Sequence, residues 1–132
     1  MLKDYKFSLF IATVIWIVCL IPVPETPLDN VRFIDKWTHF VMYGTLTFAI
    51  WWEYCRSHKR TTPEAPQQRK PFSWRRLSII GIVLPAVMGC LVEVAQATLT
   101  TCRSGDVFDA ICNALGVLLA AGICALVKGL RV

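Results

Sequence analysis

Asp35, Lys36, His39 and Tyr43 stand at the start of an apolar stretch, in the segment DKWTHFVMYG. Asp35, His39 and Tyr43 are each four residues apart, so a helix gathers them into one polar stripe. Farther along, Glu93 and Gln96 in CLVEVAQATL are one turn apart on a common face. In RSGDVFDAICNALG, Asp106, Asp109, Asn113 and Gly116 share a face at spacings of 3, 4 and 3. These residue types support several chemistries. Glu93 and Asp109 beside His39 could act as acid and base, work that desolvated carboxylates and imidazoles do near neutral pH. The same groups could bind a divalent cation through carboxylate and imidazole. Lys36 and Arg103 could hold a phosphate or carboxylate head group.

The elements that must position these residues are apolar. The chain has 132 residues, 55% of them hydrophobic and 17% charged, with a mean hydropathy of +0.52. Its apolar residues come in long blocks, the composition of a membrane protein. Four blocks are drawn, at about residues 7–21, 37–55, 77–99 and 107–127. A spanning helix needs about 20 residues, so the first is short. Lys3 and Lys6 before an apolar core resemble a signal peptide, but Ile21, Pro22, Val23 and Pro24 offer no small-x-small cleavage site. A retained helix is expected. Pro85 is expected to kink the third block. Cys19, Cys55, Cys90, Cys112 and Cys124 lie in or beside the blocks and Cys102 in a loop, without metal-ligand spacing. They read as small packing residues rather than a disulfide framework.

Charge sets the orientation. Lys3 and Lys6, then Arg56, Lys59, Arg60, Arg69, Lys70, Arg75 and Arg76, then Lys128 and Arg131 fall on one side, eleven of the 14 Lys and Arg. Only Arg32, Lys36 and Arg103 fall on the other. The positive-inside rule therefore puts both termini and the 56–76 loop in the cytoplasm. The net charge of +5 is a topology signal, and no folded nucleic-acid module fits in the Pro-containing loop. The predicted fold is all-α, a single domain over residues 1–132 forming a polytopic four-transmembrane-helix bundle, N-in and C-in. In that frame His39, Glu93, Gln96, Asp109 and Asn113 reach similar depth in the outer leaflet. Tyr43 lies below them, and Asp35, Lys36, Arg103 and Asp106 form a rim. Glu53, at the cytoplasmic end, reads as an interfacial charge. Gly44, Gly89 and Gly116 read as points of close helix approach.

The three motifs together resemble the VanZ-like family of bacterial membrane proteins. Its pattern is roughly D-K-x-x-H-x-x-x-Y/F-G, then E-x-x-Q, then R-x-x-D-x-x-D-x-x-x-N-x-x-G. Asp35, Lys36, His39, Tyr43 and Gly44 match the first element, Glu93 and Gln96 the second, and Arg103, Asp106, Asp109, Asn113 and Gly116 the third. The resemblance implies envelope biology at the bacterial cytoplasmic membrane, and the family name comes from a protein associated with reduced susceptibility to teicoplanin. Two functions are weighed. One is binding of a membrane lipid or lipid-linked envelope precursor by Asp35, Lys36, Tyr43, Gln96, Arg103, Asp106 and Asn113. The other is an enzyme in which Glu93, Asp109 and His39 are catalytic. No cofactor is specified, a divalent cation being compatible. A transport subunit is disfavoured, since the polar residues occupy one half of the spans. A purely structural bundle is the bland alternative, and oligomerisation stays open.

Overall fold

In the computed structural model, which describes residues 2–21, 34–59, 71–99 and 107–130, four helices pack with alternating direction. They are α1 (Lys6–Leu20), α2 (Ile34–Lys59), α3 (Trp74–Leu99) and α4 (Val107–Leu130). A 3-10 turn, Leu2–Tyr5, precedes α1. The described residues contain no strand. The helices coincide with the four apolar blocks, each of the last three extending past its block. Two of them, Trp74–Leu99 and Val107–Lys128, are long and apolar enough to cross a membrane. At 15 residues α1 is shorter. Although α2 has 26 residues, His39, Glu53 and several Trp and Tyr lower its hydropathy.

The main interface is that between α2 and α4. Its depth is limited only by backbone, because Gly116 faces the carbonyl of Phe40. A methyl group on Gly116 would come within 2.3 Å of that oxygen. Gly44 also faces the carbonyl of Gly116, whose oxygen would lie 3.4 Å from an added Cβ, in ordinary van der Waals contact. Gly89 of α3 leaves room for the Asn113 side chain. The expected roles of these three glycines are therefore observed, and the reason is close contact of backbones with backbone or side chain.

Helix α3 is not uniform. Ser73 caps it by accepting a bond from the Arg76 N–H at 3.3 Å. The Tyr54 hydroxyl holds Ser73 in turn, accepting from its N–H at 3.1 Å and donating to its carbonyl at 3.2 Å. A π segment then runs from Ile79 to Val83, ending just before Pro85. Proline lacks the N–H that would bond to Gly81, so the irregularity expected at Pro85 takes the form of a widened turn. Gly81 within it packs on Trp51, whose Nε1 would be 2.4 Å from an added Cβ. Trp51 is thus 4% exposed. Trp37, Trp52 and Trp74 do face outward.

The core is apolar at mid-depth, where Ile15, Cys19, Tyr43, Leu46, Ile50, Val92 and Val117 meet. The outside is apolar as well. Phe7, Phe10, Val14 and Ile17 on α1, Val41, Phe48 and Trp52 on α2, and Leu115, Leu118 and Leu119 on α4 are all exposed. Exposed Thr13, Thr45 and Thr98 each donate to the carbonyl four residues back at 2.8 Å. Several polar side chains, His39, Glu93, Asp109 and Asn113 among them, are thus buried while many large apolar ones are exposed, a departure from the usual arrangement in water. The described cysteines, Cys19, Cys55, Cys90, Cys112 and Cys124, form no disulfide. Cys19 packs inside as expected, whereas Cys90 faces outward.

Candidate functional site

His39 comes from the second turn of α2, Glu93 from the last two turns of α3, and Asp109 and Asn113 from the start of α4. Alternating helix direction brings these three ends together. All four are buried, at 1%, 8%, 4% and 1% exposure respectively. One imidazole nitrogen and one oxygen from each carboxylate lie within 4.8 Å of one another. His39 Nδ1 stands 3.1 Å from Asn113 Oδ1, a bond made with Nδ1 as donor. The same nitrogen is 3.6 Å from Glu93 Oε1, a charge contact beyond ordinary hydrogen-bond length. Lys36, one turn above His39, places Nζ 3.4 Å from Asp109 Oδ1. Its side chain is 26% exposed, so the ammonium forms the open side of the cluster.

Gln96 is buried nearby, but its Nε2 donates to the Cys19 carbonyl at 2.8 Å. That carbonyl belongs to the last turn of α1, where carbonyls are commonly met by side-chain donors. Gln96 therefore ties α1 to α3 at this end. Tyr43, one turn below His39, is fully buried with Glu93 among its electrostatic neighbours. Its hydroxyl, like Asn113 Nδ2, makes no hydrogen bond among the described residues. Asp35 lies in the first turn of α2. The Asp35 side chain, Arg103 and Asp106 lie outside the described residues. Of the residues picked out by sequence, His39, Glu93, Asp109, Asn113 and Lys36 come together directly.

The profile of the family described as VanZ/LLP1 matches residues 3–128. The chain belongs to the VanZ/LLP1 family. No curated protein and no solved structure matches it. Membership fits a membrane protein, as do its two membrane-length helices.

One buried acid lies far from this cluster, at the other end of the VanZ/LLP1 bundle. Glu53 of α2 accepts from the Phe7 N–H at 2.9 Å and from the Ser8 N–H at 3.0 Å. It also bonds the Ser8 hydroxyl. These are the first amides of α1, which has no cap from its own N-cap residue, Tyr5. Glu53 is therefore a helix cap supplied in trans by a neighbouring helix, where the sequence suggested a mere interfacial charge. The signal available was weak, a single Glu inside an apolar stretch with Ser8 as a polar residue on α1. At the same end Lys128 lies over the Phe72 ring, with Trp74 5.1 Å from its Nζ, and Tyr54 stacks on His58.

Proposed function

We propose that this chain is a multi-pass protein of the bacterial cytoplasmic membrane, with four spans and both termini inside. Its buried polar end then opens to the outer leaflet and binds the head group of a lipid or lipid-linked envelope molecule. The observation that carries this is the burial of two carboxylates, an imidazole and an amide at one end of a bundle whose outer surface is apolar. Interhelical hydrogen bonds in membranes contribute only about 0.6 kcal/mol on average, whereas each buried ion costs several kcal/mol in desolvation. Leucines would hold the helices together at lower cost, so adhesion alone is a poor reason for the cluster. Two buried donors, the Tyr43 hydroxyl and Asn113 Nδ2, make no hydrogen bond among the described residues. A buried donor without an acceptor costs about 1–3 kcal/mol. Together with Lys36 they favour an acceptor-rich guest, a phosphate or carboxylate. The back-bonded hydroxyls of Thr13, Thr45 and Thr98 suit a surface facing hydrocarbon.

A polyprenyl phosphate and the matching polyprenol, each presented to the full-length protein in nanodiscs, test the reading. Preferential binding of the phosphate, weakened in Lys36→Gln and Asn113→Leu, supports it. Equal binding of phosphate and alcohol, or binding indifferent to both substitutions, sinks it.

A second reading is an enzyme acting on such a head group, favoured by the closeness of His39, Glu93 and Asp109. Then His39→Ala, Glu93→Gln and Asp109→Asn would alter lipid-linked wall precursors in cells while head-group binding persists. A role in tolerance of teicoplanin-type glycopeptides follows only from the family and is read in the same cells. If any phenotype tracks protein abundance alone, the cluster is structural.

A further inference from the structure

We infer that His39, Glu93 and Asp109 form a binding site for one divalent transition-metal ion. This goes beyond the head-group proposal and does not depend on it. Three helices each contribute one ligand-type atom, and the three atoms lie within 4.8 Å of one another. On a metal–oxygen or metal–nitrogen shell of about 2.0–2.2 Å no two donors stand more than about 4.4 Å apart, so a small inward shift of these side chains closes them on an ion. All three side chains are at least nine-tenths buried, so little bulk water competes for the ion. The donor set names the class. One imidazole with two carboxylates suits Zn²⁺, Mn²⁺ or Fe²⁺, while Mg²⁺ and Ca²⁺ favour oxygen-only shells.

The surroundings of the three ligands suit this role. With Nδ1 of His39 donating to Asn113 Oδ1 at 3.1 Å, Nε2 is the imidazole nitrogen left to take an ion, and Asn113 holds the ring as outer-shell partners of metal-bound histidines do. Charge is the second argument. Two carboxylates are buried here side by side, and the Lys36 ammonium stands 3.4 Å from that of Asp109. A dication balances both carboxylates and frees Lys36, whose partial exposure lets it swing toward a guest. Three protein ligands leave coordination positions open, the pattern of sites that take a further oxygen ligand. The metal and Lys36 would then grip the same oxyanion from two sides.

Lys36 gives the inference its sharpest consequence. Its ammonium competes with the metal for Asp109, so removing the charge must tighten metal binding. A merely structural ion pair predicts no metal binding to tighten.

The test uses the full-length protein in detergent, stripped with chelator and titrated with Mn²⁺ while free Mn²⁺ is followed by electron paramagnetic resonance. Mn²⁺ is the probe because it discriminates against the chain's thiols, which Zn²⁺ would also bind. Wild type should take up one ion per chain. Glu93→Gln and Asp109→Asn keep the side-chain shape and should weaken uptake by at least about tenfold, the scale seen even for outer-shell partners of metals. Lys36→Gln should tighten it several-fold. Helix content and gel-filtration profile identify any variant that has lost its fold, and the Lys36→Gln gain cannot arise from misfolding. Absence of stoichiometric Mn²⁺ binding by wild type overturns the inference. So does uptake unchanged in the folded carboxylate variants, or Lys36→Gln binding no tighter than wild type. Polyprenyl phosphate binding that persists in chelator would leave the head-group proposal standing while the metal fails.

Discussion

His39 Nδ1 of α2 and Asn113 Oδ1 of α4 are bonded at 3.1 Å, one turn from the place where those two helices touch backbone to backbone. The contact partner of Gly116 is the carbonyl of Phe40, the residue after His39. The crossing therefore sets the distance across which imidazole and amide meet. A wider crossing would part them, and with them the carboxylates of Glu93 and Asp109.

Substitution of glycines should grade with the space available. Gly116→Ala drives a methyl into a backbone carbonyl, which has nowhere to go, and should destabilise by about 1–3 kcal/mol. Gly44→Ala places its methyl 3.4 Å from the Gly116 oxygen, in van der Waals contact without overlap, and should lose less. Gly122→Ala meets nothing within 4 Å and should be neutral or stabilising by up to about 1 kcal/mol. Unfolding in mixed micelles with rising denaturing detergent would measure all three. Equal losses at 116 and 122 would mean the crossing is not tight.

Glu53→Ala removes the cap on Phe7 and Ser8 and should cost about 1–2 kcal/mol. The loss should be local. Amide exchange should rise first in the opening turn of α1, with α3 and α4 near Glu93 and Asp109 unchanged. Exchange that rises evenly over all four helices would contradict a capping role.

Gln96→Leu should free the Cys19 carbonyl and loosen the last turn of α1 from α3. Because Gln96 Nε2 is committed to that carbonyl at 2.8 Å, polyprenyl phosphate binding should fall much less than in Asn113→Leu. A loss as large as that of Asn113→Leu would move Gln96 into the site.

Tyr43→Phe separates ligand binding from stability. The hydroxyl makes no hydrogen bond among the described residues, so its removal should leave unfolding unchanged or slightly harder. Phosphate head-group binding should nevertheless weaken. A clear loss of stability would reveal a structural partner for the hydroxyl instead.

Helical periodicity and the rhythm of polar residues, present in the sequence alone, determined the four helices and the shared end of His39, Glu93, Asp109 and Asn113. Both follow from local geometry, since a rise of 1.5 Å and 100° per residue converts position into depth and face. The small residues at 44, 89 and 116 were legible for the same reason. Partnership was not. Which residue a buried side chain faces depends on how far each helix is rotated and how closely it crosses its neighbour. Only the tertiary structure decided that Gln96 turns to the end of α1, that Lys36 reaches Asp109, that Trp51 lies inside against Gly81, and that Glu53 caps a helix 45 residues away. The contact of Gly116 with the Phe40 carbonyl links positions far apart in the chain. Such contacts set rotation and distance together, and no local pattern encodes them.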